Sequence, residues 1–256
     1  MATTDDHRLA AELAAGAGSL LAALRQRLVD SNAPPAVLRH EGDRQAHHYL
    51  MDALVDRRPG DAVLSEEGRP RRGHPDRSST DRVWVVDPLD GTREFAEPPR
   101  SDWAVHVALA EAGHPTAGAV ALPGMGLTLS TAEPPTSSAL PPIPARPRIV
   151  VSRTRPAIEA LAVADALGAD LVEMGSAGAK AMAVVRGEAD AYVHTGGQYE
   201  WDSCAPVAVA LAAGLHATRV DGSPLAYNRA DPYLPDLVIC RTELAGRILT
   251  ALASLA

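Results

Sequence analysis

The strongest constraint on this chain is one short run, Val83-Trp84-Val85-Val86-Asp87-Pro88-Leu89-Asp90-Gly91-Thr92. Four consecutive apolar residues, three of them β-branched, predict a buried strand. Pro88 has no backbone N–H and is expected to end the ladder while holding Asp87 extended. Asp90-Gly91 supplies a turn, and Thr92 is placed to cap the helix that follows. Two carboxylates, a backbone carbonyl and a hydroxyl are thereby gathered at one strand end, beside helix N–H groups. Hard oxygen donors next to a helix start suit Mg²⁺ holding a phosphate. Asp-Pro and Asp-Gly are also ordinary turn dipeptides, so this run alone does not separate a site from a turn.

Composition removes several classes of function. The 256 residues are enough for one large or two modest domains with a substantial core. No apolar run approaches the roughly 18–20 residues of a membrane span. The start, Met1 to Arg8, is polar and acidic rather than basic then apolar, which predicts no signal peptide. Cys204 and Cys240 are the only cysteines and have no metal-type spacing, so neither a disulfide framework nor a zinc site is expected, and a cytoplasmic setting is inferred. A net charge of −8 argues against a nucleic-acid or other polyanion binder. Lys180 is the one lysine among 24 basic residues, and its compact charge is a good phosphate contact.

Taken in order, Asp5 to Val29 carries apolar residues at helical spacing, and Ser31 to Pro35 break it. Asp43 sits where an N-cap belongs, ahead of Ala46, Tyr49, Leu50, Ala53 and Leu54, and reads equally as a cap or a site residue. The adjacent His47 and His48 face different directions and read as surface or satisfied residues. Ala62 to Ser65 is a short strand running into Glu66-Glu67, and paired acids are tolerated best with a cation between them. Gly68 to Ser79 is a polar, Arg- and Pro-rich loop. Trp103 to Ala110, Thr116 to Leu122 and Gly126 to Thr131 read as an antiparallel sheet. The Pro-rich stretch from Glu133 to Pro147 marks a candidate boundary, dividing an N-terminal α+β part (1–145) from a C-terminal α/β part (146–256).

The second part alternates strands and helices. Strands are expected over Arg148–Ser152, Asp170–Glu173, Asp190–His194 and Pro235–Cys240, with a Gly196-Gly197 turn after the third. Helices are expected over Pro156–Leu167, from Ser176 to about Arg186, from Trp201-Asp202 to Ala213, and over Thr242–Leu255. Gly175 to Lys180 lacks the glycine before the lysine and the hydroxyl residue after it that a P-loop needs. No GxGxxG, HExxH or GxSxG run occurs.

Asp43, Glu66-Glu67, Asp87-Pro88-Leu89-Asp90-Gly91-Thr92 and Trp201-Asp202 follow one another over about 160 residues. That order resembles the lithium-sensitive, Mg²⁺-dependent phosphatases of the inositol monophosphatase and fructose-1,6-bisphosphatase superfamily. Pro59-Gly60-Asp61, Gly175-Ser176 with Lys180, and Gly187 to Tyr192 extend the resemblance over most of the chain. Arg93-Glu94-Phe95 and Glu200-Trp201-Asp202 look like the branch that removes the 3′-phosphate of 3′-phosphoadenosine 5′-phosphate, the CysQ-type bisphosphate nucleotidases. Inositol monophosphatases usually carry Thr-Asn-Phe after the Asp-Gly-Thr. Three departures bear on substrate choice: Glu41-Gly42-Asp43 stands for Thr-x-Ala-Asp, Leu215 replaces a second glycine, and the loop between Glu67 and Asp87 is its own.

The resemblance implies a layered αβαβα sandwich and two or three Mg²⁺ ions. It implies that Glu66, Asp87 and the Leu89 carbonyl hold one ion, that Asp87, Asp90 and Asp202 hold a second, and that a third, weaker one lies near Glu66. Glu66 and Thr92 would orient the attacking water, with Asp43 polarising the Thr92 hydroxyl. Substrate contacts would come from the Gly91 and Thr92 amides, Arg93, Ser176, Lys180 and Asp202, with an arginine of the 69–77 loop as a further anion contact. Tyr192 and His194 read equally as a base-stacking pair or as packing, and Trp201 as packing. The partner implied is a small phosphorylated molecule, and relatives are often homodimers. Inositol or sugar phosphates as substrates, and a non-catalytic nucleotide or metal binder, are the alternatives.

Overall fold

The computed structural model describes residues 1–68 and 75–255. The chain opens with two long helices, α1 (Thr4–Asp30) and α2 (Pro35–Arg57). The first sheet has the order β1-β2-β3-β4-β5, from β1 (Ala62–Ser65), β2 (Arg82–Asp90), β3 (Ala104–Glu111), β4 (His114–Leu122) and β5 (Leu127–Ser130). Only β1 runs parallel to its neighbour, and a one-turn helix, α3 (Thr92–Phe95), follows β2. The second half contains β6 (Arg148–Ser152), α4 (Ile158–Leu167), β7 (Asp170–Met174), α5 (Ala177–Val185), β8 (Ala191–Tyr199), α6 (Glu200–Ala212), β9 (His216–Thr218), β10 (Tyr233–Cys240) and α7 (Thr242–Ala253). Its sheet has the order β7-β6-β8-β10-β9.

Alternation along the strands builds the layers. On β2, Trp84 and Val86 pack with Leu9, Leu13 and Leu50 of α1 and α2, whereas Val83 and Val85 join a core with α5 and α6. On β6, Val150 enters that same central core, while Ile149 and Val151 pack with α4 and α7. The central strands of both sheets are therefore buried on both faces, in the layer order helices, sheet, α5 with α6, sheet, helices. This is the five-layer sandwich anticipated above. Among the described residues no helix is long and apolar enough to cross a membrane.

Three local expectations are corrected. Asp43 is not an N-cap, because Pro35 at the first helical position starts α2 two turns earlier and leaves Asp43 in the helix interior. Pro88 does not end β2: β1 pairs only as far as Val86, and on the other side the ladder steps from Asp87–His106 to Asp90–Ala104. The proline thus occupies a bulge, where no N–H is required. Gly196 and Gly197, both at positive φ, likewise lie inside β8 rather than ending it.

The N-terminus is fastened to the sheet by a buried charge. Asp6 closes a capping box with Thr3 and also accepts from Arg58 Nε (3.0 Å) and an Arg82 terminal nitrogen (2.7 Å). Burial alone would raise its pKa, but the Thr3 donors, Arg58 and Arg82 outweigh it and lower it from 3.8 to about 2. A depressed carboxylate stabilises the fold fully above its unfolded pKa and loses that contribution as pH falls through the folded one. Asp6→Asn should therefore destabilise the neutral protein by about 1–3 kcal/mol. Denaturant titrations should show the gap between the two proteins closing as pH drops from about 4 towards 2. A gap independent of pH would show that the carboxylate charge contributes nothing.

Candidate active site

Register brings the acidic residues together. Ser65 pairs with Val86 across β1 and β2, and the Glu66 N–H donates to the Val86 carbonyl (3.3 Å), which sets Glu66 beside Asp87. Asp87 is 1 % exposed and accepts the Leu89 N–H across Pro88 (3.0 Å). Gly91 then turns the chain at φ +84°, and a Cβ there would crowd Ser176 Cβ (3.1 Å) and the Asp102 carbonyl (3.3 Å). Thr92 does not cap α3 with its side chain. Its hydroxyl lies 3.0 Å from the Leu89 carbonyl and 3.3 Å from Asp43 Oδ1, so Asp43 faces the turn from the middle of α2.

The second half contributes the third carboxylate. Asp202 opens α6 and accepts the Tyr199 N–H (2.7 Å). Carboxylate oxygens of Asp87, Asp90 and Asp202 all lie within 4.8 Å of one another. Glu66 sits at the rim, exposed as a residue, but its carboxyl group turns inward and is hydrogen-bonded to Asp87. Burial and then the neighbouring acids push Asp87 well above the usual carboxylate range. The same causes push Glu66 up to about 7 and Asp202 to about 6, and burial with Glu67 pushes Asp43 to about 6. Crowded buried carboxylates that resist ionisation together are what a divalent cation with oxygen ligands relieves, so these residues fit a metal.

Asp90 differs from its neighbours. Burial would raise its pKa, yet His106, the Ser176 hydroxyl and Lys180 hold it below the usual range. Its Oδ2 accepts from Ser176 Oγ and from the Gly178 N–H (2.7 Å) at the start of α5, and lies 3.2 Å from His106 Nε2. Ser176 itself takes φ +48° and caps α5. Lys180 is 5 % exposed, with Nζ donating to the carbonyls of Ser176 (2.7 Å) and Gly175 (3.3 Å) and lying over the Tyr192 ring. Tyr192 is 2 % exposed in the central core, which removes it as a stacking surface for a base. Trp201 stacks on Tyr199 at 4.8 Å.

Beside the acidic group opens a cavity of about 480 Å³, whose cations are Arg93, Arg153, Arg155 and Lys180. Arg153 is held against its wall by Glu94 (2.6 Å) and Glu97 (2.8 Å), and glycine at 175 leaves room for the Glu94 side chain. Of the 69–77 loop, 69–74 lie outside the described residues. Arg77 is bonded to the carbonyls of Arg229 (2.6 Å) and Ala230 (3.0 Å) and does not line this cavity.

The sequence reading passed over Arg153, Arg155 and His106. The signal for the arginines was Ser-Arg-Thr-Arg at a strand end, and for His106 a lone imidazole within an apolar strand.

Gly42 lets α2 approach closely enough for Asp43 to meet Thr92. A Cβ there would fall 2.7 Å from Leu89 Cδ2 and 2.9 Å from Phe95 Cε1. Gly42→Ala should cost about 1–3 kcal/mol through overpacking, lowering the thermal midpoint by about 2 °C or more. A variant that melts with the wild type would show that Leu89 and Phe95 yield freely.

Comparison with known proteins agrees with this geometry. The sequence model of the inositol monophosphatase family matches residues 5–255. A Mycobacterium tuberculosis protein named 3′-phosphoadenosine 5′-phosphate phosphatase is 52 % identical over 245 residues, 93 % of this chain and 89 % of that one. The 3′(2′),5′-bisphosphate nucleotidase CysQ of Escherichia coli is 34 % identical over 205 residues, 75 % and 80 % of the two chains. Among solved structures, inositol monophosphatase II of Staphylococcus aureus superposes with a TM-score of 0.77 at 20 % identity, covering 96 % and 95 % of the chains. On sequence and on fold, this chain belongs to the inositol monophosphatase family.

Proposed function

We propose that the protein is a Mg²⁺-dependent phosphomonoesterase that hydrolyses the 3′-phosphate of 3′-phosphoadenosine 5′-phosphate, giving AMP and phosphate. The observation that carries this reading is the 52 % identity, over 93 % of the chain, to a phosphatase named for that substrate. The cavity supports it, since a substrate with two phosphates suits a cavity lined by Arg93, Arg153, Arg155 and Lys180. A cytoplasmic setting accords with two buried, free cysteines.

In this reading Glu66, Asp87 and the Leu89 carbonyl would hold one cation, Asp87, Asp90 and Asp202 would hold a second, and a third would lie near Glu66. Bound divalent ions neutralise phosphate oxygens and lower the pKa of a bound water. The chain's own work is positioning, because phosphoryl transfer needs little covalent help from protein groups. Thr92 has one hydroxyl proton and two acceptors within 3.3 Å, Leu89 O and Asp43. Donating that proton to Asp43 leaves the hydroxyl oxygen to accept from the attacking water, which Glu66 orients from the other side. Water oxygen bonds to phosphorus and releases a proton to solvent, the bond from phosphorus to the 3′-oxygen breaks, and that oxygen takes up a proton from solvent. The Gly91 and Thr92 amides receive the reacting phosphate, with Ser176, Lys180 and Asp202 bordering it. Arg93 and Arg155 take the second phosphate from the cavity wall.

Phosphate release from 3′-phosphoadenosine 5′-phosphate, inositol 1-phosphate and fructose 1,6-bisphosphate, in Mg²⁺ with and without Li⁺, tests the reading. Preference for the adenosine bisphosphate, lost with Li⁺, is expected. Preference for either of the others would keep the site and overturn the substrate, and no release from any would leave a binder. Asp90→Asn should melt cooperatively yet lose turnover by about 100-fold or more. Wild-type rates in that variant would sink the metal assignment.

A further inference from the structure

His106 lies in the middle of β3, wholly buried, opposite Asp87 in the register. Its two ring nitrogens reach two different parts of the chain. Nδ1 is 2.9 Å from the Trp201 carbonyl, which only accepts, so Nδ1 carries a proton and donates it. Nε2 is 3.2 Å from Asp90 Oδ2. Asp90 ends β2, and Trp201 immediately precedes Asp202 on α6. One imidazole therefore touches the seats of two carboxylates that come from opposite halves of the chain and meet within 4.8 Å. The space for the ring is made by Gly178, where a Cβ would fall 2.0 Å from Nε2.

We infer that His106 is a positioning residue, bolting Asp90 to the start of α6 and so setting the Asp90–Asp202 spacing before a cation arrives. The inference rests on the metal-dependent reading of the site. Two donors, Ser176 Oγ and the Gly178 N–H, converge on the Oδ2 atom of Asp90, and His106 Nε2 lies against the same atom at 3.2 Å. Among the described residues no hydrogen bond engages Oδ1, and that oxygen is left to serve as the ligand atom. An apolar residue at 106 would fill the space but leave the Trp201 carbonyl without its donor and Asp90 held from the α5 side alone. A packing role would need neither polar contact. A positive ring near a bound cation would also repel it, but groups that orient a ligand are worth about 10–100-fold in metal affinity or activity, and orientation is expected to dominate.

The test uses the full chain freed of metal, with Mn²⁺ binding followed by calorimetry and folding by thermal melting. His106→Leu should weaken Mn²⁺ binding about 10-fold or more, and His106→Asn, whose amide reaches one partner only, should fall between. Half-maximal activation by Mg²⁺ should move with it, while the substrate KM at saturating Mg²⁺ stays within about two-fold. Gly178→Ala, which keeps both the N–H and the imidazole but takes the ring's space, should reproduce the weakening. Combining it with His106→Leu should add nothing further. If His106→Leu does not fold, His106→Asn and Gly178→Ala carry the comparison. Unchanged or tighter Mn²⁺ binding with only a shifted melting point would overturn the proposal and leave His106 as packing or counter-charge. Absence of Mn²⁺ binding in the wild type would instead overturn the metal-dependent reading beneath it.

Discussion

The molecule is built around a conflict, the close approach of buried carboxylates. Asp87, Asp90 and Asp202 meet within 4.8 Å, with Glu66 bonded to the first of them. Bringing like charges into a low-dielectric interior is unfavourable unless a cation or donors compensate. A flexible loop would relax by letting the acids drift apart. Here they sit at the end of a strand buried on both faces and at the start of a helix in the middle layer, so the packing of five layers resists that relaxation. The upward displacement of Asp87, Glu66 and Asp202 is the electrostatic signature of that constraint.

The protein distributes its own positive groups unevenly around the conflict. Asp90 has His106, Ser176, the Gly178 amide and nearby Lys180, and it alone of the cluster is held below the ordinary range. Lys180 is tied to two backbone carbonyls, which fixes its charge behind the site as well as on the cavity wall. The arginines of the cavity are held differently. Arg153 is neutralised by Glu94 and Glu97, while the exposed Arg155 beside it lines the cavity. This gives physical content to Arg93-Glu94-Phe95. Phe95 is core and packs edge-on against Trp103, Glu94 anchors the loop after β6, and Arg93 faces the cavity.

Much of this was readable from residue order, and the failures are informative. Apolar, β-branched runs bounded by turn residues predicted most strands to within a residue or two, because a strand buried on both faces is apolar along its length. The misreadings occurred where a local rule met a neighbour. Pro88 stays in β2 because β1 has already stopped pairing beside it, which no rule about proline alone contains. Asp43 reads from local sequence equally as a cap or a site residue; Pro35 starts the helix earlier, and α2 then carries Asp43 to Thr92. Tyr192 reads from sequence equally as a base-stacking surface or as packing, and the central core decides for packing.

Sequence by itself carried the resemblance to the family, through the order and spacing of its acidic motifs, and the resemblance in turn implied the layered fold. Tertiary structure alone decided which groups stand behind the acidic residues. His106 meets Asp90 and the Trp201 carbonyl across 16 and 95 positions, and Arg153 meets Glu94 across 59. Contacts of that length depend on how sheets and helices stack, and the stacking is set by the whole core rather than by the residues that touch.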